Sequence, residues 1–112
     1  MNNFKLQKTE IVIPRKCFLY AHMTVYKNIG LALKLKGLSN DEIAEMIIEI
    51  SHIMQIKNIL HLKPKALTEF ERIKVIVARQ LVQKPNRIIF DDNANYDNLL
   101  LWKNAYALIN KI

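Results

Sequence analysis

Apolar and polar positions alternate at helical spacing through most of this chain. From Thr24, a plausible N-cap, Val25, Ile29 and Leu33 fall on one face while Lys27 and Lys34 fall on another. Gly37 ends that helix as a left-handed C-terminal residue does. Ser39-Asn-Asp-Glu42 has the spacing of a capping box and opens a helix over about residues 40–55. Ile43, Met46, Ile47, Ile50, Ile53 and Met54 form its apolar stripe; Glu42, Glu45, Glu49 and His52 form its wet one. A short helical turn is expected at Lys57–Leu60, and Pro64 closes the segment.

Thr68-Glu-Phe-Glu71 is a second capping box, starting a helix that runs to about Gln83. Phe70, Ile73, Val75, Ile76, Val77, Ala78, Leu81 and Val82 nearly encircle this helix. It should therefore be central and buried, with Arg72, Arg79 and Gln83 as its narrow polar seam. Pro85-Asn86 turns the chain into Arg87-Ile-Ile-Phe-Asp91, a short apolar run suited to a strand buried on both faces. Glu10-Ile-Val-Ile13 is a weaker strand candidate, stopped by Pro14. After Asp97 the chain reads as helix to its end, with Leu99, Trp102, Tyr106 and Ile109 on one stripe. The fold class is α+β, mostly helical, with a minimal sheet. The strand at 87–91 needs a partner, either Ile11–Ile13 or a second copy of the chain.

Composition narrows the class. At 112 residues the chain is one domain or a piece of one, and with 51% hydrophobic residues it can fill a core. Two glycines and three prolines fit a helix-rich chain with few tight turns. The single Cys17 forms no internal disulfide. The start of the chain lacks a secretory apolar core, and no apolar run approaches the ~20 residues that span a bilayer. An intracellular, soluble chain is the expectation. Net charge is +7, distributed as +6 over residues 1–38, −3 over 39–62, +5 over 63–87 and −1 over 88–112. The basic residues are dispersed along helices without a run of five or six, so solvated surface is preferred over nucleic-acid binding. His22, His52 and His61 have no ligand-like spacing with Cys17, which argues against a metal site there.

The order of motifs resembles the nucleotide-binding domain of ABC transporters, most closely the sugar-importer type. Leu19-Tyr-Ala-His-Met-Thr-Val-Tyr-Lys-Asn-Ile29 looks like the segment after that family's Q-loop, with Arg15 where the Q-loop Gln stands. Leu33-Lys-Leu-Lys-Gly-Leu-Ser39 and the acidic helix behind it look like the helical subdomain that docks on the membrane protein. Lys63-Pro-Lys-Ala-Leu67 leads into the signature, Val77-Ala-Arg-Gln-Leu-Val82 continues like the helix behind it, Ile88-Ile-Phe-Asp-Asp92 resembles the Walker B strand, and Asn95-Tyr-Asp97 resembles the D-loop. The resemblance covers roughly residues 12–98. It implies one partial ABC-ATPase-like domain over 1–112, with a helical subdomain at about 24–83 and a Walker B-like strand and C-terminal helix at 87–112.

Departures from the pattern shape the expected function. No GxxxxGK[ST] loop is present: neither Gly30 nor Gly37 is followed by the required Lys-Ser/Thr. The chain reads as the back part of a domain, also without the switch His. The signature LSGGQ reads Leu67-Thr-Glu-Phe-Glu71. Two glycines at a helix start let backbone N–H groups approach a phosphate; a carboxylate competes for that positive end and a ring blocks the approach. By resemblance, Thr68, Glu69 and Glu71 are the degenerate nucleotide-binding positions and Asp97 is the D-loop one. By the same resemblance Asp91 matches the residue that holds Mg²⁺ through water, and Asp92 stands at the position of the catalytic Glu, one methylene shorter.

The expectation is a degenerate ABC-type ATP-binding subunit, not active alone, which needs no cofactor as an isolated chain. It would work through contact with a transporter membrane subunit or another ATPase chain, in the cytoplasm or at the inner face of the membrane, with a tendency to form a homo-oligomer. Two alternatives are an ATPase half completed by a partner chain, which would then bind ATP and Mg²⁺, and a small basic helical nucleic-acid-binding protein.

Overall fold

The computed structural model describes residues 10–13, 18–85, 87–90, 100, 103, 104 and 107. Strand β1 (Glu10–Ile13) is followed by helices α1 (Val25–Leu35), α2 (Asn40–Met54) and α3 (Glu69–Leu81), then strand β2 (Arg87–Phe90). Single 3-10 turns at Lys57–Ile59 and Pro64–Ala66 link α2 to α3. The chain is thus α+β and mostly helical. Residues 100, 103, 104 and 107 are helical, as the pattern after Asp97 predicts. Trp102 and Tyr106 lie outside the described residues, as do Arg15 and Cys17.

The partner of β2 is β1. The two pair in parallel, with Glu10 opposite Arg87 and Ile13 opposite Phe90. Parallel strands need a crossover connection, and α1–α3 supply it.

Each helix starts and stops for a local reason. Thr24 caps α1, its hydroxyl accepting from the Lys27 amide at 3.2 Å. The Val25 and Tyr26 amides donate to the carbonyls of Leu62 (2.7 Å) and Leu60 (3.0 Å). The turn after α2 therefore satisfies N–H groups that the start of a helix leaves unpaired. Gly37 lies past the end of α1 at φ +88°, where an L side chain would be strained. At the start of α2 the Glu42 amide donates to the Ser39 hydroxyl (3.1 Å) and the Ser39 amide to the Glu42 carboxylate (2.9 Å).

The apolar stripes meet in one core. Val25, Ile29 and Leu33 of α1, Ile43, Ile47, Ile50 and Met54 of α2, Ile56 and Ile59 of the following turn, and Val75 to Ala78, Leu81 and Val82 of α3 are all buried. Gly30 sits where α1 crosses α2: a β-carbon there would lie 3.0 Å from Ile47 Cδ1 and 3.1 Å from Ile43 Cγ2. Two expectations need correcting. Strand β2 is not buried on both faces, since Ile89 is 36% exposed. Phe70 is 58% exposed and does not join the core. It stands one turn before the stretch of α3 that other elements cover.

Asn28 is buried at 1% exposure on the apolar side of α1. Its Nδ2 lies 3.0–3.1 Å from the carbonyls of Tyr20, Met23 and Thr24, and its Oδ1 accepts from the Tyr20 amide at 2.7 Å. One side chain thus pins the whole turn before α1, and Arg79 of α3 holds the same segment by donating to the Phe18 carbonyl at 2.6 Å.

Asn28→Ala should cost about 1–3 kcal/mol, because the Tyr20 amide and the carbonyls of Tyr20, Met23 and Thr24 lose their buried partner. Denaturant midpoints would measure the loss, and amide exchange should accelerate first over residues 20–24. A pH effect is also expected. The Ser39 amide, and secondarily the Ser39 hydroxyl, hold the Glu42 carboxyl below its ordinary value of 4.5. A lowered folded pKa contributes stability that is present above the ordinary carboxylate range and lost as pH falls through the lowered value. Melting curves taken down an acid series should therefore show that component in the wild type and not in Glu42→Gln.

Candidate functional site

The start of α3 brings together three of the residues singled out from sequence. After the Pro64–Ala66 turn, Thr68 takes an extended backbone (φ −68°, ψ 165°) and caps the helix. Its hydroxyl accepts from the Glu71 amide at 3.1 Å, and its amide donates to the Glu71 carboxylate at 2.9 Å. Glu69 faces Arg72 one turn on: Nε donates to Oε2 at 3.0 Å and Nη2 to Oε1 at 2.6 Å. Phe70 projects into solvent with the Lys74 ammonium 4.9 Å from its ring centre.

The chemistry of this turn follows from those contacts. The positive end of the α3 dipole is balanced by the helix's own carboxylates, Glu69 and Glu71. The Arg72 guanidinium is held by Glu69 and the Lys74 ammonium rests on Phe70. A phosphate approaching the first turn would meet a carboxylate and an aromatic ring before it met a backbone amide. These residues make a stable helix start and do not fit a triphosphate. Asp91, Asp92 and Asp97 lie outside the described residues, so they are not brought to this turn or kept from it. Among the described residues no cluster of His, Cys, Asp and Glu could hold a metal ion.

Two polar features were not singled out in advance. The Asn28 clamp has a faint signal, an amide four residues past a cap on an apolar face. Arg79 reads only as part of a polar seam, because its acceptor, the Phe18 carbonyl, is remote in sequence.

Comparison with known proteins identifies relatives of the chain. The chain is 42% identical over 86 residues to the molybdate/tungstate import ATP-binding protein WtpC of Pyrococcus abyssi, covering 76% of this chain and 25% of that protein. It is 39% identical over 74 residues to the sn-glycerol-3-phosphate import ATP-binding protein UgpC of Chromobacterium violaceum, covering 66% and 20%. It is 33% identical over 94 residues to the osmoprotective compounds uptake ATP-binding protein GgtA of Synechocystis, covering 84% and 26%. The chain spans about a quarter of the length of the relatives just named, 25% for WtpC. Among solved structures, cbiO1 of Clostridium perfringens, part of the ABC transporter complex cbiONQ, superposes with a TM-score of 0.69 at 18% identity. That match covers 93% of this chain and 45% of the other and establishes the likeness of fold. No protein-family model matches the chain.

Substitution at the α3 start separates a cap from a core residue. Thr68→Ala should lose about 1 kcal/mol, the usual value of an N-cap. Phe70→Ala should change stability by less than about 1 kcal/mol, where a buried Phe would cost about 3–5. Urea titration of both variants checks the pair.

Proposed function

Because the chain belongs to the ABC transporter ATP-binding proteins over the stretch it shares with them, we propose that it is a degenerate member. It does not hydrolyse ATP by itself and acts through protein–protein contact with transporter components. One observation carries the first half of this reading. Glu69 and Phe70 occupy the first turn of α3, the stretch that resembles LSGGQ, and their carboxylate and exposed ring stand where two glycines would admit a phosphate. The three-helix unit, which closes a buried core of its own, supports the second half as the part that resembles the subdomain docking on a membrane protein.

Asp91 and Asp92 remain in this proposal as the residues that resemble the Mg²⁺-holding and base positions. With Asp in place of Glu, a base can be misplaced by about 1 Å, a displacement capable of costing around 10²-fold. The proposed location is the inner face of a membrane, reached through a membrane subunit; no helix among the described residues is long and apolar enough to cross one. The relatives' names span molybdate/tungstate, sn-glycerol-3-phosphate and osmoprotective compounds, so no cargo is proposed.

Two measurements test the reading. Calorimetric titration of the chain with Mg-ATP should give no binding, and a micromolar dissociation constant would overturn the nucleotide half. Isolation of the tagged chain from detergent-solubilised membranes should bring down an integral-membrane transporter subunit. Recovery with a chain carrying GxxxxGK[ST], together with ATP binding by that pair, would instead establish an ATPase completed by a partner.

A further inference from the structure

Two stretches without a single acid meet at one end of the helical unit. Residues 18–40 and 50–68 contain no Asp or Glu. The Val25 and Tyr26 amides, which donate to the Leu62 and Leu60 carbonyls, hold the second stretch against the first turn of α1. Burial alternates along it: Leu60, Leu62 and Pro64 are half-buried, while His61, Lys63 and Lys65 are exposed. Leu60 and Leu62 pack against the core, so the side chains between and after them face outward. Lys57 on the preceding 3-10 turn is exposed too, as is Lys27, next to Tyr26 on α1.

The carboxylates that bracket this linker are engaged elsewhere. Glu49 pairs with Lys84 at 3.1 Å, Glu69 with Arg72, and Glu71 accepts from the Thr68 amide at 2.9 Å. Lys27, Lys57, Lys63 and Lys65 have no acid partner among the described residues. The backbone that carries the last two is fixed. The Leu62 amide donates to the Ile59 carbonyl (3.0 Å), that of Ala66 to Lys63 (2.9 Å) and that of Leu67 to Pro64 (3.1 Å).

We infer that this basic end of the helical unit rests on an anionic phospholipid surface. Each lysine held near such a surface strengthens attachment by about fivefold, and four stand here without a competing carboxylate. Lysine is a hydrated point charge on a flexible stem, suited to a diffuse layer of headgroups. The planar fork that reads a base edge belongs to arginine, and neither stretch contains one. Nor does the linker hold a Phe, Tyr or Trp on which a nucleic-acid base could stack. The contact needs neither a membrane subunit nor a nucleotide, so its failure leaves the function proposed above standing.

The full chain should co-sediment with vesicles of phosphatidylglycerol and phosphatidylcholine, less so as salt is raised, and not with phosphatidylcholine alone. Lys63→Gln/Lys65→Gln should weaken the binding by about 25-fold. Lys34→Gln/Lys36→Gln removes the same charge at the far end of α1 and should change it by less than about threefold. All four positions are exposed, so circular dichroism should show unchanged folding. If the linker pair unfolds, Lys27→Gln/Lys57→Gln replaces it. Absence of binding to the anionic vesicles overturns the inference, as does equal binding to the neutral ones or an equal loss in both pairs of variants. Displacement from the vesicles by duplex DNA at equal phosphate concentration overturns it in favour of a nucleic acid.

Discussion

Two parallel strands cannot be joined by a tight turn, and that constraint organises this chain. With β1 at Glu10–Ile13 and β2 at Arg87–Phe90, everything between them must form a connection that leaves one end of the pair and returns to the other. The chain meets the requirement with three amphipathic helices that close their own core. Val25, Ile29 and Leu33 pack against Ile47 and Leu81, so the connection has a hydrophobic interior of its own. The crossover is then a folding unit, and the strand pair a small addition to it.

Closure of that unit draws on two residues whose value is barely legible along the sequence. Gly30 is a poor helix residue, yet a β-carbon there would press on Ile47 and Ile43, which would have to shift for α1 and α2 to keep their approach. Asn28 is polar on an apolar face, and it is tolerated because four backbone groups of the preceding turn satisfy it. Both are explained by what lies across the fold. Features that depend on near neighbours were legible instead: both capping boxes, the glycine after α1, the wet and dry stripes of α2. The pairing of β2 with β1 is not legible, because two strand candidates far apart in sequence carry no mark of each other.

Phe70 marks the same boundary from the other side. Apolar periodicity counts it into the face of α3, but burial depends on how far the neighbouring elements extend, and they stop short of the first turn. That exposure bears on the candidate site. Thr68 and Glu71 form a helix start that would serve in any protein, while Glu69 draws Arg72 to itself and Phe70 draws Lys74. Cations that could have faced a ligand are engaged locally. The contacts that hold the turn together are the same ones that occupy its charged groups.

The contrast with α1 and α2 is a matter of where charges are left unengaged. At the α3 start the opposite charges are neighbours at i+3 and neutralise each other within the helix. Along α1 and α2 the helices carry one sign each: lysines beside an apolar groove, carboxylates beside an exposed isoleucine. Exposed pairs of the first kind contribute little beyond the turn that holds them. Charges of the second kind, on Lys27, Lys34, Asp41 and Glu45, have no opposite partner among the described residues. Charge left without an opposite partner among the described residues therefore lies on α1 and α2, while that of the α3 start is held within its own turn.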